Sequence, residues 1–300
     1  MKKDKTYLME SFSSFKKEIF QNNEIYNHFL KSEKFSIKWD TYFQVYEEIF
    51  KEYKDKDVTF VEVGVFSGGS LFMWKNYFGK NSRIIGIDLN PDAKKLENHG
   101  FEIFIGNQSD PDFWENFYKK IGKIDILLDD GGHKNIQQIM TVHNSIENIN
   151  NKGLIIVEDT HSSYLKQFGN PSNFSFINYT SKIIDSIHRR CSWVKKRKNS
   201  YTKKIYSVSY FESIVVFYID EKKCFESTLL RNNEKWEGAT EYRDNEYFSN
   251  LKKFIENNMK FINKIKIFRK IIRKLFYKNS LFNIYENYLI SKIFKEISKK

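Results

Sequence analysis

Residues 58–70 read VTFVEVGVFSGGS. The apolar run from Val58 to Gly64, rich in valine, predicts a buried β-strand, and the Gly and Ser cluster behind it predicts a tight turn into a helix over Leu71–Phe78. The same grammar recurs downstream. Arg83–Asp88 (RIIGID), Phe101–Ile105, Ile124–Asp129 (IDILLD) and Gly153–Glu158 (GLIIVE) predict four more strands, separated by helical stretches near Pro111–Ile121 and Asn135–Ile149. Short apolar strands alternating with amphipathic helices imply right-handed crossovers and covered sheet faces. The fold class expected is therefore α/β, a Rossmann-like, doubly wound, mostly parallel sheet. Two alternating runs, Ile205–Phe211 and Ser213–Ile219, are close enough to pair antiparallel and close one edge.

Outside this core the periods change. Residues 7–53 step mainly by three and four (Phe12, Phe15, Ile19, then Tyr42, Tyr46, Ile49, Phe50), predicting an N-terminal helical cap over 1–53. The core is expected over 54–221, and a basic, mainly helical region over 222–300. In that last region, residues 260–278 (KFINKIKIFRKIIRKLFYK) set Phe261, Ile265, Phe268, Ile272 and Leu275 on one helical face. The net charge is +12, and residues 251–300 hold fourteen Lys and Arg against three Glu, so the core is close to neutral. Two cysteines, Cys191 and Cys224, make neither a disulfide framework nor a zinc site, and the reducing cytoplasm is the expected compartment. No run has membrane-spanning length.

The turn after the first strand holds Gly64, Gly68 and Gly69, where backbone can approach a ligand and a helix N-terminus aims its amides at it. Ligands of open α/β sheets bind at this carboxyl edge. The spacing is not GxGxxG, because Phe66 stands where a nicotinamide-binding turn needs its second glycine, which argues against a dehydrogenase. Asp88 ends the second strand, where an acid can accept from both hydroxyls of a ribose. At the same edge the fourth strand ends in Asp129-Asp130-Gly131-Gly132-His133 and the fifth in Glu158-Asp159. Carboxylates so gathered repel unless a cation sits among them, and hard oxygen donors suit Mg²⁺ or another divalent ion. His133, with an imidazole that titrates near neutrality, is the candidate general base. His161 and His143 are weaker candidates, and Glu158-Asp159 has a plainer alternative as a strand end that caps the next helix.

The segments FVEVGVFSGGSLFMWKNYFGKNSRIIGIDLNPD (60–92), GNQSDPDFW (106–114), IDILLDDGGH (124–133) and IIVEDTHSSY (155–164), with WDTYFQVYEEIF (39–50) upstream, resemble the sugar O-methyltransferases of macrolide biosynthesis, the macrocin and mycinamicin type. The similarity covers roughly residues 35–165, and a more distant one reaches cephalosporin hydroxylase-like proteins. It implies a class I fold binding S-adenosylmethionine, with Glu62, Gly64 and Ser70 near the methionine end and Asp88 at the ribose. It also implies Gln108, Ser109 and Asp110 beside the adenine, Asp129 closing the pocket, and the metal on Asp130, Glu158 and Asp159. Asp130 and His133 are then the residues of the chemistry, a metal-oriented hydroxyl losing its proton to His133. Gly132 departs from the family, where Ser is commoner.

The acceptor implied is a sugar hydroxyl. The acid-free basic stretch Arg189–Lys204 adds the expectation of a phosphate, as in a nucleotide-activated sugar or a surface-glycan precursor; a solvated loop is its plainer alternative. Nucleic acid ranks low as a partner, since the fourth strand ends in DDGGH and not in the Asn/Asp-Pro-Pro-aromatic motif of base methylation. Two other functions stay open: a non-enzymatic adapter whose basic C-terminal helix lies on the inner membrane face or on another protein, and a hydroxylase-like enzyme using another metal. That helix packing on its own core or on a second copy is the plainer alternative.

Overall fold

A computed structural model describes residues 20–194, 199–232 and 281–298. The chain divides into two compact units, Met1–Leu229 and Leu230–Lys300. Of the second unit, residues 230–232 and 281–298 are described, the latter forming helix α8 (Leu281–Ile297); the helix expected over 260–278 lies outside the described residues.

In the first unit two short helices, α1 (Glu24–Leu30) and α2 (Tyr42–Phe50), precede the sheet. There follow β1 (Thr59–Val63), α3 (Gly69–Phe78), β2 (Arg83–Asp88), β3 (Glu102–Ile105), α4 (Pro111–Ile121), β4 (Ile124–Asp129), α5 (Asn135–Ser145) and β5 (Ile149–Val157). Helices α6 (Phe176–His188) and α7 (Ser200–Lys204) lead to the hairpin β6 (Ile205–Phe211) and β7 (Ile214–Ile219). The sheet runs β3-β2-β1-β4-β5-β7-β6. Strands β1 to β5 are parallel, while β7 runs antiparallel to β5 and β6 to β7. The Rossmann-like, mostly parallel sheet with its antiparallel edge is thus the observed fold.

Both faces of the sheet are covered, which is why the central strands read as continuous apolar runs and do not alternate. On one face Phe60 packs with Trp74 and Phe78 of α3 and Phe50 of α2; the Trp74 ring lies 5.0 Å from Tyr46, 5.4 Å from Phe50 and 5.2 Å from Phe60. On the other, Val61, Val63 and Ile87 pack with Trp114, Phe117, Val142 and Ile183 from α4, α5 and α6. Aromatic rings in such offset and edge contacts bury large areas and fix the angle at which a helix meets the sheet.

Of the helices expected over 7–53, the part over 7–19, with Phe12, Phe15 and Ile19, lies outside the described residues, and the rest is interrupted. Residues 31–41 are not helical. The segment SEKFSIKWD (32–40) has no 3.6-residue apolar stripe to bury, and it runs instead as an irregular strap across the carboxyl edge of the sheet. Ser32 Oγ donates to the Gly69 carbonyl at 2.7 Å.

Candidate active site

The carboxyl ends of the five parallel strands lie side by side, and the ladder continues one residue past β1, β3, β4 and β5. Gly64 N donates to Ile87 O at 2.8 Å, Gly106 N to Asp88 O at 2.9 Å, Asp130 N to Val63 O at 2.9 Å and Glu158 N to Asp129 O at 2.9 Å. The pairings Val63 with Asp129 and Asp129 with Val157 therefore deliver Asp130 and Glu158 side by side. Above this edge lies a cavity of about 670 Å³, within the range of small-molecule sites. Its wall includes Gly64, Phe66, Ser70, Asp88, Leu89, Asn107, Gln108, Asp130, His133, Glu158 and Asp159, and from the strap Phe35, Ile37, Lys38 and Trp39.

At one end Asp88 holds the turn after β1: its Oδ2 accepts from Val65 N at 2.9 Å and Phe66 N at 3.1 Å, while Oδ1 takes Asn90 N at 2.8 Å. Each carboxylate oxygen has two lone pairs, so Oδ1 keeps capacity for a further donor. Phe66 and Leu89, each 70% exposed, give this end apolar faces. The glycines of the turn also answer to packing within the chain. A Cβ on Gly64, which sits at φ +89°, would lie 2.1 Å from the Asp130 carbonyl oxygen, and one on Gly69 2.4 Å from that of Lys34. They make room for the DDGG loop and the strap.

Several residues expected at the cofactor do not line the cavity. Glu62 lies fully buried behind it, taking the Ser70 hydroxyl at 2.7 Å and the Trp74 indole at 3.3 Å, because its side chain points to the α3 face of β1. Asp129 is 1% exposed; it accepts from Gln108 Nε2 at 3.0 and 3.1 Å and from Gly131 N at 3.1 Å. Gln108 reaches the wall, but its amide is engaged: Nε2 on Asp129 and Thr141, Oε1 on Gly132 N at 2.9 Å. Asp110 caps α4 by accepting from Asp112 N, and Ser109 N donates to Asn107, which lines the wall in their place. A Cβ on Gly132 would lie 2.2 Å from the Gln137 amide, so a Ser at this position would require that side chain to move.

At the other end Asp130, His133 and Asp159 each present one donor atom, all within 4.8 Å of one another, an arrangement that fits a divalent cation. His133 Nε2 is 3.4 Å from Asp159 Oδ2, and its Nδ1 is buried without a hydrogen-bond partner. Asp159 Oδ1 accepts from Tyr42 OH at 2.6 Å and Trp39 Nε1 at 3.1 Å. His133 (φ 56°), Asp159 (φ 53°) and Phe66 (φ 49°) all hold left-handed backbone conformations, a strain that clusters where side chains must be aimed.

Glu158 is placed differently from the other candidate ligands. It is fully buried, one oxygen accepting the Tyr46 hydroxyl and the other the Lys38 ammonium at 2.8 Å. Lys38 Nζ also lies 2.7 Å from Asp130 Oδ2 and 3.7 Å from Glu62 Oε1. Burial opposes the Lys38 charge, but Asp130, Glu158 and Glu62 outweigh it and hold the ammonium well above the usual lysine range. Burial pushes Glu158 up to about 8 and Glu62 to about 7, with Lys38 working against both rises. The cation expected among these carboxylates is thus, in part, a lysine that sequence reasoning passed over; its signal is a lone Lys between Ile37 and Trp39. Tyr42 and Tyr46, taken from periodicity as an apolar stripe of α2, turn their hydroxyls to Asp159 and Glu158.

No family model matches the chain. Among curated proteins it is 31% identical over 165 residues to an 8-demethyl-8-alpha-L-rhamnosyl tetracenomycin-C 2'-O-methyltransferase of Streptomyces olivaceus, covering 51% of this chain and 43% of that one. It is 28% identical over 180 residues to the demethylmacrocin O-methyltransferase of Streptomyces fradiae, covering 56% of this chain and 45% of the relative. The chain resembles sugar O-methyltransferases. It spans less than half the length of either relative. Among solved structures, the MycE methyltransferase from the mycinamycin biosynthetic pathway, in complex with Mg and SAH, superposes with a TM-score of 0.59 at 21% identity, covering 77% of this chain and 59% of that one. The fold is the class I methyltransferase fold, and the cavity lies at its carboxyl edge, where that fold takes ligands.

Proposed function

We propose that this chain is an S-adenosylmethionine-dependent, divalent-metal-assisted O-methyltransferase acting on a sugar hydroxyl. The observation that carries it is that one cavity joins Asp88 and the Gly turn at one end to the Asp130, His133 and Asp159 donor set at the other. When bound, S-adenosylmethionine supplies an electrophilic methyl group on a sulfonium that leaves as a neutral thioether. Asp130 and Asp159, with Glu158 beside them, would hold a divalent ion, which would supply positive charge to stabilise the acceptor oxygen as it loses its proton. The chain's own groups do the rest. Asp88 Oδ1 accepts from ribose hydroxyls, Phe66 and Leu89 cover the base, and Gly64 and Ser70 border the methionine end. Glu62, Asp129, Gln108, Ser109 and Asp110 act through the turn, the DDGG loop and the start of α4, which they brace. His133 takes the acceptor's proton at Nε2. Asp130 orients the acceptor, and Trp39, whose ring lies 5.9 Å from that of His161, forms part of the wall beside it.

A specific observation favours a second role for His133: its donor atom is already grouped with Asp130 and Asp159, so it would serve as a ligand. For the acceptor, a nucleotide-linked sugar or surface-glycan precursor rests on the basic composition of residues 189–204 alone. In that stretch Arg190 donates to Tyr206 O, and Lys204 pairs with Glu147 and Glu221.

Calorimetric titration of S-adenosylmethionine, with and without Mg²⁺, tests the proposal. The intact protein should bind it, and Asp88→Ala should weaken binding by roughly tenfold or more, the worth of a charge-assisted hydrogen bond. Absence of binding by the intact protein would sink the proposal and favour an adapter. Methylation of nucleotide sugars but not of simple glycosides would support the activated acceptor.

A further inference from the structure

The buried ammonium of Lys38 has no task in the chemistry above. Its side chain is 2% exposed, and it bridges Asp130 Oδ2 at 2.7 Å and Glu158 Oε2 at 2.8 Å. Tyr46 takes the other oxygen of Glu158. Both oxygens of Glu158 and one of Asp130 are therefore engaged by donors of the chain itself, and Glu158 is absent from the donor set that Asp130, His133 and Asp159 form. A divalent ion shared between Asp130 and Glu158 would need the gap that Nζ fills.

We propose that Lys38 is a tethered competitor for the metal: the ammonium and a divalent cation take turns between Asp130 and Glu158, and Glu158 becomes a ligand only when Lys38 withdraws. The proposal rests on the metal-assisted reading above. Two buried carboxylates with no cation between them are strongly destabilising, so Lys38 holds the two strand ends in place until the ion arrives. The divalent ion carries twice its charge and prevails by Coulomb attraction to the same oxygens. Lys38 is thereby a positioning residue: it acts through Asp130 and Glu158. Its neighbour Trp39 holds Asp159 through the indole at 3.1 Å. One short stretch of the strap thus touches Asp130, Glu158 and Asp159, and its withdrawal accompanies metal loading.

The test is calorimetric titration of Mn²⁺ into the full chain saturated with S-adenosylhomocysteine, with wild type, Lys38→Met and Lys38→Arg compared. Lys38→Met should bind Mn²⁺ roughly ten- to a hundredfold more tightly, because the charge-assisted hydrogen bonds that metal must break are gone. Lys38→Arg, which keeps the charge, should not tighten binding. In wild type, acetylation of Lys38 by a water-soluble amine reagent, read by peptide mass spectrometry, should rise when Mg²⁺ is added; this needs no variant to fold. Equal or weaker Mn²⁺ binding by Lys38→Met, or labelling of Lys38 that does not rise with Mg²⁺, overturns the proposal while leaving the metal centre intact. Failure of wild type and both variants to bind Mn²⁺ removes the metal-assisted reading and this proposal with it.

Discussion

His133 stands at φ 56° with its Nδ1 sealed from solvent and its Nε2 3.4 Å from Asp159. Glycine is the replacement that leaves the backbone unstrained at such a φ, so His133→Gly removes the imidazole with little change to the loop. If His133 is the base, turnover should fall by roughly 10²–10⁴-fold with Mn²⁺ affinity nearly unchanged. Collapse of Mn²⁺ affinity in that variant would make it a ligand instead. Asp159 shows the same economy of position: left-handed backbone, Tyr42 and Trp39 on one oxygen, His133 facing the other. Its place on the carboxyl edge, in the cavity wall, was legible from its position after the fifth strand. Its partners were not, since Trp39 and Tyr42 are each more than a hundred positions away.

At the scale of elements, the turn after β1 and the loop after β4 are one mechanical unit. Gly64 leaves no room for a side chain, since a Cβ would press within 2.1 Å of the Asp130 carbonyl at a φ of +89°. Gly64→Ala should therefore lower stability by about 1–3 kcal/mol through backbone strain alone, with the clash adding to it. Because Asp88 grips the same turn through Val65 N and Phe66 N, Gly64→Ala should weaken S-adenosylhomocysteine and Mn²⁺ binding together. Calorimetry in which one affinity falls and the other stays at the wild-type level would separate the two ends of the cavity. The strands were legible because parallel strands buried on both faces concentrate Val, Ile and Leu: β2 and β4 fall at the residues predicted, and β5 begins earlier, at Ile149. The strap was not, because irregular backbone has no period, and residues 31–41 were absorbed into the helices on either side.

For the whole molecule, the carboxyl edge concentrates acid in a dry place. Glu62 is pushed by burial from 4.5 up to about 7, so between those values the folded chain holds a proton that the unfolded chain has released. Stability must then fall as pH rises through that window and level off above it. Without metal, the melting temperature should decline from pH 5 to pH 7, and Glu62→Gln should make the decline shallower; an identical slope in the variant would show that Glu62 does not titrate there. Glu158, raised to about 8 by burial, extends the decline to higher pH. What the amino-acid sequence determined by itself is the alternation of strand and helix, the Gly turn and the placing of Asp88, Asp130, His133, Glu158 and Asp159 at strand ends, because these follow from periods and turn chemistry within a few residues. Only the tertiary structure decided which carboxylates face the cavity and what neutralises them. Lys38 meets Asp130 across 92 positions and Glu158 across 120, and no local pattern encodes a contact that exists only once the sheet has brought its strand ends together beneath the strap.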